Sequence, residues 1–372
     1  MGNTRVLITG GAGFIGSHLA DELLYRGYLV RALDSLEPHV HGPDRRRPSY
    51  LAPDVELVAG DIRDPAAVRR ALHKVDAVCH LAARVGVGPS LSEIADYNSV
   101  NSHGTAVLLE ALIEQPVQRL IVASSMSVYG EGSYRDGREQ SYEHVQRSAA
   151  QLARGEWEPR HADGSELAPA PTAETRTPAP ISIYAQTKYN QERMCMLVGA
   201  AHRIPTVVLR LSNVYGPRQA LSAARISALT IFAARCLMGK PPILFEDGRQ
   251  RRDFVHVRDI ATGCRLALES AAAAGEVLNL ARGGSRSIGT IAGRIGAALG
   301  TAIQPQITGH YRIGDVRHSL ADIRLAQRLL GYTPRIDLVT GLTELASWLT
   351  TQSTIDRIAD IRAELARRGH AR

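Results

Sequence analysis

A five-residue apolar strand that runs straight into a turn of glycines leaves a chain few folds to choose from. Arg5-Val6-Leu7-Ile8-Thr9 is short, rich in branched apolar residues, and reads as a buried strand. Gly10-Gly11-Ala12-Gly13-Phe14-Ile15-Gly16 follows at once, and Ser17 to Leu24 then carries apolar residues at helical spacing. Without side chains in the turn, backbone can come close to a phosphate group. The helix that follows offers it free N–H groups and the positive end of its dipole. A second strand, Tyr28 to Leu33, ends at Asp34, about 20 residues past the turn, where a carboxylate can bind ribose hydroxyls. Together these features point to a bound dinucleotide. A carboxylate at Asp34 repels a 2′-phosphate, so NAD is expected over NADP. NADP stays possible through Asp44-Arg45-Arg46-Arg47, which could fold back on a phosphate but reads more simply as a solvated run.

Strands and helices keep alternating after this unit. Val55–Asp61 reads as a third strand, Asp64–Lys74 as a helix, Ala77–Ala83 as a fourth strand, Asn101–Glu114 as a helix, and Arg119–Ser124 as a fifth strand. Thr206–Leu211 is a sixth. This order predicts an α/β protein with a doubly wound parallel sheet of the Rossmann type over residues 1–216. Residues 131–179 break the rhythm and read as an insertion, with a helix near Tyr142–Leu152. It is either a surface decoration or a lid or oligomer contact. Residues 217–350 are expected to form a smaller C-terminal substrate-binding lobe, with 253–280 returning to the large domain. In the tail, 351–372, Ile355, Ile358, Ile361 and Leu365 recur at near-helical spacing.

Composition removes several classes. No run of 18 apolar residues is present, so no membrane-spanning helix is expected. The chain enters its first strand too early for a signal peptide, and a cytoplasmic location is expected. Its four cysteines are far apart and form no Cys-x-x-Cys pair, so neither a disulfide framework nor a metal site is expected. The net charge of +7 could serve nucleic acid, but the arginines are scattered and aromatic residues make up only 5%. Binding of anionic small molecules uses the same positive field.

Lysine is rare here. Only Lys74, Lys188 and Lys240 occur, and Lys188 stands four residues after Tyr184. With 12 tyrosines, chance would produce a Tyr-x-x-x-Lys roughly 0.1 times in such a chain. On a helix the two side chains share a face, and an ammonium beside a phenol favours the phenolate. That is a proton acceptor usable near neutral pH.

These motifs together resemble the extended short-chain dehydrogenase/reductase family, in its nucleotide-sugar epimerase and dehydratase branch, over residues 5 to about 349. The resemblance implies that Gly10, Gly13, Phe14, Ile15 and Gly16 line the cofactor turn, that Asp61 and Ile62 contact adenine, and that Leu81, Ala82 and Ala83 follow the fourth strand beside the cofactor. It implies catalytic roles for Ser125, Tyr184 and Lys188, with Asn101 supporting the lysine; a helix cap is the other reading of Asn101. On the substrate side it implies Met126, Ser127 and Asn213, with Arg252 and Arg317, from Arg252-Asp253-Phe254-Val255-His256-Val257 and Gly314-Asp315-Val316-Arg317, gripping a pyrophosphate. Met126 and Ser127 stand where the family's 4,6-dehydratases place Asp and Glu, so water elimination is not expected. Leu33-Asp34-Ser35-Leu36, Val85-Gly86-Val87-Gly88 and Phe245-Glu246-Asp247-Gly248-Arg249-Gln250 are similar to segments of the branch that handles dTDP-L-rhamnose and related 4-ketosugars. The implied activity is 4-epimerisation of a dTDP-6-deoxyhexose through a transient 4-keto sugar. The alternative is a dTDP-4-keto-6-deoxyhexose 4-ketoreductase, and a lesser one is a noncatalytic dinucleotide-binding scaffold. Relatives often carry cysteine pairs in the insertion, where this chain has Arg160-His161-Ala162-Asp163-Gly164. The resemblance also implies a homodimer.

Overall fold

A computed structural model describes residues 4–219, 227–312 and 315–352. The tail expected to be helical from residue 354 onward, and Gly314, lie outside the described residues. Seven strands form one parallel sheet: β1 (Arg5–Thr9), β2 (Leu29–Asp34), β3 (Glu56–Ala59), β4 (Ala77–His80), β5 (Arg119–Ser125), β6 (Thr206–Leu211) and β7 (Val277–Leu280). Their order is β7-β6-β5-β4-β1-β2-β3. Strand order reverses at β1, which pairs with β2 on one side and β4 on the other. A doubly wound sheet opens a crevice at this reversal, beyond the carboxyl ends of its strands.

Alternation along β1 explains why the sheet is covered on both faces. Val6 and Ile8 face a core shared with helices Phe14–Tyr25 and Val257–Glu269, through Leu19, Leu23, Ile260 and Cys264. Leu7 faces the opposite core, with Val68, Leu108 and Cys195 from helices Pro65–Leu72, Gly104–Glu114 and Ile183–His202. All four cysteines are buried and unpaired. Helix Pro65–Leu72 starts where Asp64 accepts a hydrogen bond from Ala66 N at 2.9 Å.

Three elements differ from the sequence expectation. β7 is only four residues long and has Asn279 in the middle, so neither length nor apolar pattern marks it. The helix expected at Asn101–Glu114 begins earlier, with a π-helical stretch over Asn98–His103. In the insertion, Tyr142 lies in a strand that pairs with Tyr134, and the helix is confined to Ala149–Ala153. Ser148 sets that start, because its hydroxyl accepts from Gln151 N at 3.1 Å.

Helices Ala228–Leu237, Ile288–Ala298 and Leu338–Gln352 share a separate core built on Phe232, Ile291, Leu345 and Leu349. Among the described residues no helix is long and apolar enough to cross a membrane.

Candidate active site

A cavity of about 410 Å³ opens at the carboxyl ends of β1, β2, β4, β5 and β6. Gly10, Gly13, Phe14, Ile15, Gly16, Asp34, Asp61, Ile62, Leu81, Ala82 and Ala83 line one part of it. Gly10 has φ +71°, and a Cβ there would lie 3.0 Å from Ala82 N. A Cβ on Gly16 would come within 2.2 Å of Gly10 O. Only glycine permits this turn, which brings bare backbone to the cavity wall. Gly13 caps the following helix without a side chain, so no side-chain oxygen takes the first-turn N–H groups. The Asp34 carboxylate is held at the tip of β2 by Ala12 N (3.0 Å) and Leu36 N (2.9 Å). A cradle without side chains, a free helix start and a fixed carboxylate suit the pyrophosphate and adenosine ribose of NAD.

The other part of the cavity is lined by Ser125, Tyr184 and Lys188. Ser182 caps helix Ile183–His202, accepting from Ala185 N at 3.1 Å, and so places Tyr184 and Lys188 in its first two turns. Ser125 ends β5 and caps the next turn; its Oγ accepts from Ser127 N (3.2 Å) and lies 2.9 Å from Ser127 Oγ. The Tyr97 ring stands edge-on to Tyr184, with centroids 6.4 Å apart. Burial pushes the Tyr184 phenol above its ordinary value, and a hydrogen bond with Ser125 opposes the rise. Burial lowers the Lys188 ammonium to about 8, against the attraction of Cys195 and Glu192. This departs from the sequence reading, in which the ammonium turned the phenol into a phenolate. Lys188 is instead bonded to Gln191 Oε1, and desolvation of the phenol dominates.

Other expected site residues lie elsewhere. Asn101 is fully buried inside the π-helical stretch, so it is no cap. Its side chain accepts from Arg84 N at 2.6 Å and donates to Arg84 O and Thr187 Oγ1, and it does not reach Lys188. Met126 is buried in a small core with Val128, Tyr129 and Ile323. Asn213 Nδ2 donates to Asp253 O at 3.2 Å. Arg252 donates to the carbonyls of Arg251, Val316 and Arg317. Arg317 has no exposed surface, and its guanidinium is bound by Glu158, Glu246 and Asp247. Burial works against that charge, but hydrogen bonds to Asp247 and Glu158 outweigh it and hold the proton. The guanidinium thus spends its donors on three carboxylates, where the sequence expectation gave it a pyrophosphate.

The sequence reading missed several lining residues. Arg63 and Arg84 both face the cavity. Arg63 closes on Asp61 at 2.6 Å, which pulls that carboxyl below its ordinary range, and Arg84 is shared by Glu37 and Asp96. Their positions directly after the Asp61-Ile62 pair and after Ala83 were the available signal.

The model of the NAD dependent epimerase/dehydratase family matches residues 6–151 and 161–281. The chain belongs to that family. Among members of the epimerase/dehydratase family, it is 33% identical to a dTDP-L-rhamnose 4-epimerase of Burkholderia thailandensis, over 94% of this chain and 95% of that one. Among solved structures it is similar to the UDP-glucose 4-epimerase of Thermotoga maritima with UDP-glucose. The TM-score is 0.77 at 30% identity, covering 94% of this chain and all of that one. The UDP-glucuronic acid 4-epimerase of Bacillus cereus, in complex with UDP-glucuronic acid and NAD, gives a TM-score of 0.75 at 28% identity, over 94% and 99% of the two chains.

Proposed function

We propose that this family member is an NAD-retaining 4-epimerase of a nucleoside-diphosphate sugar, acting on a dTDP-6-deoxyhexose through a transient 4-keto intermediate. One observation carries the reading: a hydroxyl, a phenol and an ammonium (Ser125, Tyr184 and Lys188) face the same cavity as the glycine turn. The likeness to the Burkholderia enzyme supports the dTDP-deoxysugar branch. Met126 and Ser127, where an elimination would need carboxyl groups, weigh against a dehydratase.

When bound, NAD supplies acceptance and return of the C4 hydrogen with its electron pair. Within the cavity, Tyr184 reacts from its deprotonated form: the phenolate Oη takes the proton of the sugar C4 hydroxyl and later gives it back. Ser125 Oγ hydrogen-bonds the C4 oxygen while charge develops on it. Lys188, lining the same cavity, supplies a positive charge that favours the deprotonated phenol. Epimerisation needs the keto sugar to turn over in the pocket between removal and return of the hydrogen.

Cofactor choice follows the charges near Asp34. Arg46 is exposed and only 3.8 Å from Asp44, and Arg47 donates to Val55 O and Ala52 O, so the arginine run does not line the cavity. The arginines that do, Arg63 and Arg84, are committed to carboxylates. This supports NAD over NADP. We also propose a cytoplasmic homodimer, with the exposed Ile113 and Leu197 of neighbouring helices at its interface; light scattering of purified protein tests it, and a monomer mass rejects it.

The deciding assay is NMR of purified protein with dTDP-L-rhamnose and no added cofactor. Appearance of the C4 epimer is expected. If instead a dTDP-4-keto-6-deoxyhexose is consumed only once NADH or NADPH is added, the protein is a 4-ketoreductase.

A further inference from the structure

Behind the cavity wall lies a buried polar chain that the reaction scheme leaves unused. Lys188 Nζ donates to Gln191 Oε1. Gln191 Nε2 lies 2.6 Å from His80 Nε2 and 2.9 Å from Thr105 Oγ1. His80 Nδ1 lies 2.7 Å from Thr9 Oγ1. Thr9 Oγ1 in turn accepts from Leu81 N and Ala82 N, both at 3.2 Å. Gln191 has no exposed surface, and Lys188, His80, Thr105 and Thr9 are buried with it.

The Gln191 amide hydrogens in this chain can be assigned. An ammonium has only donors, so the amide must turn its oxygen to Lys188. Both amide hydrogens then point at His80 Nε2 and Thr105 Oγ1. Thr105 gives its own hydrogen to Asn101 O and is free to accept. One amide hydrogen therefore meets His80 Nε2, which also lies 3.0 Å from Thr105 Oγ1. Every polar atom of Gln191 is used, and a single orientation satisfies all of them. Burial, and then the charge of Lys188, hold His80 neutral, down at about 3.

We infer that Gln191 is the positioning residue for Lys188: it anchors one ammonium hydrogen, leaves the other two for the cavity, and ties the lysine through His80 to the Thr9 end of the glycine turn. Asn101 does not do this, because its amide is spent on Arg84 and Thr187. The inference rests on the acid–base role proposed above for Tyr184 and Lys188. The titratable groups that interact with the ammonium are Glu192 and Cys195 on its own helix and His80 from β4. Glu192 is itself committed to Arg210 of β6 and to Ser124, and Tyr97 packs on Tyr184. Among the hydrogen-bonding groups, Gln191 is the acceptor that touches Nζ, and loss of that bond should disfavour the charged form.

With only three lysines, Lys188 can be watched directly. In a Lys74→Arg/Lys240→Arg background, protein labelled with 13C at lysine Cε gives one signal, whose shift against pH reads the Lys188 titration. The parent should titrate near 8. Gln191→Met, similar in volume but without the acceptor, should titrate about one unit lower. Gln191→Glu, which keeps the shape and adds charge, should titrate higher, so it decides the question if Gln191→Met does not fold. With the dTDP sugar, Gln191→Met should lose kcat with KM little changed, and its alkaline limb should begin at lower pH. An unchanged Lys188 midpoint in folded Gln191→Glu or Gln191→Met overturns the inference. Because the titration is read without sugar, an inactive sugar defeats the epimerase reading and leaves this one standing.

Discussion

At the residue scale, Tyr184 and Lys188 carry opposite perturbations from the same cause. Burial opposes charge on each, so it raises the phenol and lowers the ammonium to about 8. Catalysis needs the lysine charged. Turnover should therefore fall as pH rises through about 8, and a pH profile of kcat that stays flat to pH 10 would contradict the role given to Lys188. Tyr184→Phe removes the proton acceptor and little volume, so turnover should drop about 10²–10⁴-fold. Retained NAD, released by denaturation and measured by absorbance, should be unchanged; a scaffold protein would be indifferent in both readouts. The sequence made these two residues legible because they are four apart on one helix, and Lys188 is one of three lysines. It gave no warning about Arg317, whose partner Glu158 lies 159 residues away and comes from the insertion. A motif marks which arginine is present, but its neighbours decide whether the fork is free.

At the element scale, the strand–glycine turn–helix unit was readable because each part depends on local chemistry alone. A β-branched run, missing side chains and helical spacing need no distant partner. β7 and the start of the helix at Asn98 were not readable for the converse reason. β7 is a strand because β6 offers it an edge, and the π-helical stretch exists where Asn101 must reach both Arg84 and Thr187. The glycine turn gives a sharp test. Gly16→Ala sets a methyl 2.2 Å from Gly10 O, against backbone that cannot swing away. It should cost about 1–3 kcal/mol of stability and abolish retained NAD, whereas Gly293→Ala, on helical backbone with open space around its Cβ, should keep the cofactor. Cofactor absorbance together with thermal melts distinguishes the two, and equal NAD content in both variants would reject the cradle.

At the scale of the whole molecule, the insertion is pinned to the rest of the chain by charge. Glu158 binds Arg317 and lies 2.8 Å from His318 Nε2, while Arg147 reaches Glu246 at 2.7 Å. Glu131 accepts from the backbone of Arg317 and of His318, and Gly132 N donates to His318 O. From sequence, decoration and lid were equally open for residues 131–179, because charged residues in a polar loop look alike whether solvated or paired. The buried pairing argues for a fixed wall that holds the strand His318–Ser319 beside Arg251–Arg252. Acid should loosen that wall in a predictable window. Burial alone would raise the Glu158 carboxyl, but hydrogen bonds from His318 and Arg317 win and bring it down from 4.5 to about 2. A carboxyl held below its unfolded value adds stability above pH 4.5 and loses it as pH falls through about 2. The contribution at neutral pH is on the order of 3 kcal/mol. Glu158→Gln should thus be less stable than the parent at pH 7, by a few kcal/mol, because Arg317 loses a charged partner. The gap should narrow steadily between pH 5 and pH 2. Urea unfolding of both proteins at pH 7, 5 and 3 measures it, and a gap that stays constant with pH would mean that Glu158 contributes only shape to the wall.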